Sequence, residues 1–312
     1  MRRAGGTEGS RGTSRRALLA AAAASAAGLA AVLATGVPDA RTPVTEVNGK
    51  SRGTPAPGGG PAPWGQGMSG GPGTVFSPLF TSDGLITNEY AHTHPDADDA
   101  RLSDDWDVTS GSLFAHWSCG WTGPPDGGPS GPGSSPRTGS SVFRLATHRR
   151  DFGDTAVRCW VFLRPPGSTP RTPARGWDGG HLWLRYHSPQ ELYALSFCRR
   201  DATVTLKRKY PPRGLPGGEG VYTTLATGDH ALSYERWHHV AATAGRCDEG
   251  HVRLTLAVDG STVLEAEDTD PGRLAEPGGV GLRGDNSEMA FLGFTAGPGS
   301  GTTRCRAVEA DA

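Results

Sequence analysis

His238 and His239 stand side by side behind Trp237 in "RWHHVAATAG". Paired imidazoles can hold a metal ion or pass a proton. The flanking residues read as a β-strand, where Trp237 and His239 share one face and His238 turns to the other with Val240. Adjacent strand residues cannot chelate one ion from the same side, so the pair is expected to be structural. His92 and His94 in "YAHTHPD" are two apart and would face the same way on a strand. Zinc accepts that spacing, but no third ligand accompanies them, and half-exposed strand histidines are expected.

Carboxylates make the second set. "HPDADDARLSDDWD" carries Asp96, Asp98, Asp99, Asp104, Asp105 and Asp107. Clustered loop carboxylates are the hard ligands calcium takes, so calcium is the cation this stretch would suit. The spacing lacks the Gly and terminal Glu of an EF-hand loop, and a solvated acidic loop is the plainer expectation. Asp285 and Asn286 in "GLRGDNSE" are a second ligand pair or, more simply, the turn before the last strand. No Gly-x-Ser-x-Gly elbow and no phosphate loop stands between a strand and a helix. No C-x-x-C spacing supports a zinc ribbon or redox pair.

The elements that must position these residues are strands. "TAVRCWVFLR", "HLWLRYH", "ELYALSFCRR", "ATVTLKRKY", "WHHVAATA", "HVRLTLAVDG", "STVLEAED", "GGVGLRG" and "EMAFLGFTA" are short, mostly alternating segments separated by turn residues. "VDGS" is an Asp-Gly hairpin turn. No long helical period follows the N-terminal region. These features predict one all-β domain over 75–297, a sandwich or barrel, with a long exposed loop at "TGPPDGGPSGPGSSPRTGSS".

Ahead of that domain, Arg15 and Arg16 precede an uncharged Ala-rich run, Ala17 to Leu33. A basic start followed by a short apolar run has the form of an export signal, here of twin-arginine type, over 1–36. Cleavage is expected after Ala34, or else after Ala40. The run is near the minimum for a membrane span and mostly Ala, so no stable span is expected once the signal is removed. Residues 37–74 read as a Pro/Gly-rich linker, and 298–312 as a C-terminal tail. A secreted, extracellular location follows, and there the five cysteines meet oxidising conditions. The net charge of -1 gives no electrostatic case for nucleic acid.

Trp237-His238-His239-Val240-Ala241, then "RLTLAVDGSTVL", then "GGVGLRGDNSEMAFLGFT", form an ordered set. With "LWLRYHSPQELYALSFCRRDATVTLKRK" as central meander, the set resembles the concanavalin A-like lectin/glucanase jelly rolls over about Thr81 to Ala296. Laminin G-like modules and the sandwich domain of keto-disaccharide hydrolase-like proteins are the nearest types. The resemblance implies two antiparallel sheets, and its members include binders and enzymes alike. Laminarinase-type members carry Glu-x-Asp-x-(x)-Glu on one strand. The nearest match, "LEAEDTD", has Glu265 and Glu267 but no third Glu, and reads as a solvated strand end. Arg185, His187 and Gln190 in "RYHSPQ" do not reproduce the alginate lyase-type pattern.

What remains is a face. Strict alternation places Val157, Cys159, Val161, Leu163, Leu182, Leu184 and Tyr186 inside. It places Trp160, His181, Trp183 and Arg185 outside, and Lys207 and Lys209 together on one face. Trp160, Trp183, Arg185, Lys207 and Lys209 are therefore the expected ligand-binding residues, with Trp177 extending the site from a loop. Aromatic faces stack on pyranose rings, and cations reach hydroxyls or carboxylates, so a polysaccharide or other glycan is the expected partner. Such a module binds without catalysis. The alternatives are a secreted polysaccharide hydrolase or lyase with an unfamiliar residue set, and a protein-binding laminin G-like module. An outward Trp183 would leave no core cavity when truncated.

Overall fold

The computed structural model describes residues 73–123, 142–168, 172–211, 220–247 and 250–299. The expected export signal, nearly all of the expected linker and C-terminal tail, Cys305 and most of the Gly/Pro/Ser loop lie outside the described residues. The chain enters with β1 (Gly84–Asn88), helix α1 (Glu89–Thr93), β2 (Trp106–Ser110), β3 (Ser112–His116) and β4 (Cys119–Trp121). β5 (Val142–Thr147), β6 (Thr155–Leu163), β7 (Gly180–Ser188), β8 (Glu191–Phe197), β9 (Thr203–Tyr210) and β10 (Val221–Asp229) follow. The last are β11 (Trp237–Arg246), β12 (Val252–Val258), β13 (Ser261–Asp268), β14 (Gly279–Asp285) and β15 (Met289–Pro298).

They form two antiparallel sheets, a β-sandwich of jelly-roll type. One is eight-stranded, in the order β1-β3-β4-β15-β6-β11-β12-β13, and the other seven-stranded, β10-β9-β8-β7-β14-β5-β2. The cause is period-2 patterning. Val157, Cys159 and Val161 of β6 meet Leu182 and Leu184 of β7 and Tyr193, Leu195 and Phe197 of β8 in one apolar core. Each fully buried Leu or Phe there contributes about 1.5–3 kcal/mol. Phe76 opens the fold, bridged to Ala296 and set edge-on to Trp106, Phe152 and Phe294. No helix among the described residues is long and apolar enough to cross a membrane.

Two sequence expectations need correcting. The single outer face expected to gather Trp160 of β6 with Trp183 and Arg185 of β7 is split, because β6 does not neighbour β7. The chain passes from the eight-stranded sheet to the seven-stranded one between β6 and β7, whereas Pro189-Gln190 closes a tight β7–β8 hairpin. A long Pro-containing connection can change sheets, and a two-residue loop cannot. His92 sits on α1 rather than a strand, with its Nδ1 2.9 Å from Asp107 Oδ1. Asn88 caps that helix by accepting from the Ala91 N–H, and His94 ends it.

Candidate functional site

The outer face of the seven-stranded sheet carries a cleft of about 320 Å³. Register builds its floor in rows. Arg283 of β14, His181 of β7, Ser196 of β8 and Thr205 of β9 stand side by side. The next row is Gly281, Trp183, Ala194 and Lys207. Trp177 reaches in from the loop before β7, Arg199 from the loop after β8, and Tyr222 from the edge strand β10. Trp177 is 50 % exposed and Tyr222 40 %, while the floor residues between them are mostly buried.

The loop that presents Trp177 is fixed from below. Buried Asp178 accepts from the Arg175 N–H at 2.9 Å, from the Arg200 guanidinium at 3.1 Å and from Asn286 Nδ2 at 3.1 Å. Gly179 is required next to it. A Cβ there would sit 2.5 Å from the Cys198 carbonyl oxygen, and its φ of +152 disfavours side chains.

Charge on the floor is mostly paired. Arg283 donates to Asp285 through Nε and Nη2 at 2.9 Å each, and Arg199 grips Asp201 in the same manner while donating to Thr205 at 3.1 Å. Burial opposes ionisation of Asp285, but Arg283 and His181 outweigh it and hold the carboxyl well below the usual range. The ionised carboxylate accepts from His181 Nε2 at 3.0 Å, which leaves Nδ1 to accept from the Ser196 hydroxyl at 2.7 Å. Burial, then Arg283 and Arg199, push His181 below its ordinary value despite Asp285, so the imidazole is neutral. Lys207 is different: its Nζ lies 5.9 Å from the Tyr222 ring and has no hydrogen bond or ion pair among the described residues.

Of the five residues expected to bind ligand, Trp183 and Lys207 line this cleft. Lys209 is on the same face but only 3 % exposed, with Nζ donating to the Pro189 carbonyl and lying 4.9 Å from the Tyr222 ring. Trp160 belongs to the eight-stranded sheet, on the far side of the sandwich, where its ring meets His239 at 5.3 Å. Arg185 lies outside the cleft. It has φ +49 at an irregularity in β7, and its guanidinium donates to the Ala275 carbonyl at 2.7 Å and to Asp154 at 3.2 Å.

That irregularity shifts the alternation by one. Tyr186, expected inside, lands on the outer face and stacks on Trp183 with centroids 5.4 Å apart and planes 9° from parallel. Ala146, Leu192 and Ala194 join them in a second apolar cluster, capped by Arg150 over the Tyr186 ring at 4.9 Å. Trp183 is consequently 1 % exposed, its Nε1 without a hydrogen-bond partner. It is outward, yet packed.

The other candidates have structural uses. His238 bonds Asp259 at 2.8 Å and the Ser233 carbonyl at 3.0 Å, tying β11 to the hairpin turn at Asp259-Gly260, both with positive φ. Glu265 and Glu267 pair with Arg253 and His251 on β12's side of the edge strand β13. No group of three or more His, Cys, Asp or Glu among the described residues is arranged to hold a metal ion. Sequence reading missed Tyr222, Arg199, Ser196 and Arg283, and treated Asp285 as a turn residue. The Arg283-x-Asp285 and His181-x-Trp183 spacings were the available signal, since each puts both residues on one face.

No family model matches the chain, and no curated protein does. Solved structures similar to it include a prokaryotic beta-1,3-1,4-glucanase (lichenase) derived from a mouse hindgut metagenome, at 14% identity and TM-score 0.43, covering 72% of this chain and 99% of that one. The carbohydrate binding module CBM66 from Bacillus subtilis is 13% identical with TM-score 0.42, over 62% of this chain and 94% of the module. A legume lectin-like domain from Entamoeba histolytica is 9% identical with TM-score 0.41, over 63% and 91%.

Proposed function

We propose that the protein is a carbohydrate-binding β-sandwich that takes a glycan into the cleft of the seven-stranded sheet and does no chemistry on it. The observation that carries this reading is the pair of solvent-open rings, Trp177 and Tyr222, set over a buried floor of hydrogen-bonding groups. A sugar ring laid on such a face buries apolar area, at about 25 cal/mol per Å². The volume, about 320 Å³, sits at the lower end of the ~300–1,000 Å³ usual for small-ligand sites and suits one or two sugar units of a longer chain.

The Ser196–His181–Asp285 chain has the residue types of a hydrolase triad, but its electrostatics favour binding. A general base must accept a proton, and burial with Arg283 and Arg199 opposes formation of the imidazolium. Asp285 favours the imidazolium, but Arg283 shares that carboxylate and draws on its charge. The chain orients the Ser196 hydroxyl rather than activating it.

A glycan array probed with the full chain, followed by assays for reducing ends and unsaturated sugars on the polysaccharides it binds, tests the reading. Binding without product supports it. Product release that disappears in Ser196→Ala would replace it with a hydrolase, and failure to bind any glycan would remove it.

A further inference from the structure

The cleft holds one cation more than its neighbours neutralise. Arg283 is committed to Asp285 and Arg199 to Asp201, each through two guanidinium nitrogens. Lys207 faces the same floor with no carboxylate in ion-pair reach and no hydrogen-bond acceptor among the described residues; Asp201, already gripped by Arg199, acts on it only from a distance. Its ammonium is half-buried and pushed below its ordinary value, by burial first and by Arg199 second, so an anion beside it would relieve both effects. Nearby donors have the same polarity. Tyr222 offers a hydroxyl at the rim, and Lys209 adds a second positive charge behind that ring at 4.9 Å.

Resting on the carbohydrate reading above, we infer that the glycan is anionic and that Lys207 receives a carboxylate or sulfate of a sugar held against Trp177 and Tyr222. A neutral sugar would leave the Lys207 ammonium partly desolvated and unpaired, which costs binding energy that an anionic substituent returns. General attraction is not the cause, because the chain carries 31 basic and 32 acidic side chains and is close to neutral.

The test uses the full chain and three polymers: polygalacturonate for carboxylate, carrageenan for sulfate and laminarin as a neutral control. Affinity is measured at about 50 mM and about 500 mM NaCl, where screening lengths differ severalfold. One or both acidic polymers should bind, and more tightly at low salt. Lys207→Gln should weaken that binding about tenfold at low salt and much less at high salt, with Lys207→Arg recovering most of it. The difference between the two acidic polymers identifies the substituent. Salt-independent binding of laminarin, with neither acidic polymer preferred, would overturn the anionic assignment and leave the carbohydrate reading standing. Undiminished polyanion binding by a Lys207→Gln protein of wild-type melting temperature would also overturn it. Silence of all three polymers, together with an empty glycan array, would remove both.

Discussion

Tyr222 touches Arg283 across the seven-stranded sheet, the Arg283 Nη1 donating to the Tyr222 hydroxyl at 3.3 Å, although β9, β8 and β7 lie between their strands. Four inter-strand steps amount to about 19 Å in a flat sheet. Two side chains close that distance only because the sheet curls toward its outer face. The contact makes a cleft out of what would otherwise be an open surface, and it places an exposed ring above the Arg283–Asp285–His181–Ser196 floor.

Packing and binding should separate between two tryptophans. Trp183→Ala empties a buried cluster and should cost about 3 kcal/mol of stability, read as a lowered urea midpoint. Trp177→Ala removes a half-exposed ring and should change stability by no more than about 0.5 kcal/mol. Equal midpoints for the two variants would show that the Trp183–Tyr186 stack carries no packing energy.

Stability should fall as pH drops below about 6.5, and His181 should account for part of it. Burial holds its folded-state value under 6.5, so the unfolded chain takes up a proton that the folded protein refuses. In the window between the lowered value and 6.5 the unfolded state binds more protons, and stability rises with pH. His187 and His239 shift in the same direction by burial, but both are partly exposed and should contribute less. Melting temperatures of wild type and His181→Gln between about pH 7.5 and about pH 5 check this. The variant should show the shallower slope, and identical slopes would mean that His181 titrates alike in both states.

Cys159 and Cys198 should stay unlinked. Both are free thiols, one on β6 and the other just past the end of β8 in the facing sheet, and facing sheets stand about 10 Å apart, beyond the ~7 Å Cα limit of a disulfide. Burial pushes the Cys119 thiol up to about 11 and Cys198 up to about 12, with Cys159 also raised, so all three should label slowly until the protein unfolds. Cys247, by contrast, is disulfide-bonded. Non-reducing peptide maps that linked Cys159 to Cys198 would contradict the two-sheet assignment.

The strands that bury one face were legible because their apolar residues alternate: β6, β11 and β12 each show a clean core stripe. β10 was not. "VYTTLATGD" is an edge strand exposed along most of its length, and its Thr-rich sequence carries no stripe to read. Tyr222, the ring that completes the cleft, was lost with it. Arg185 misled for another reason. A positive φ inside a strand leaves no mark in residue type, so the frame shift that hides Arg185 and turns Tyr186 to the outer side of the sheet is a tertiary property. Trp160 fell into the wrong sheet because alternation gives a residue's face but not which sheet its strand joins.

Trp177 and Tyr222 together form the proposed glycan site. The measurement is titration of the tightest-binding array glycan into wild type, Trp177→Ala and Tyr222→Ala, with melting temperatures confirming that all three are folded. Each variant should lose about 1–2 kcal/mol of binding, roughly five- to thirtyfold in Kd. Wild-type affinity in both folded variants would put the glycan elsewhere on the molecule.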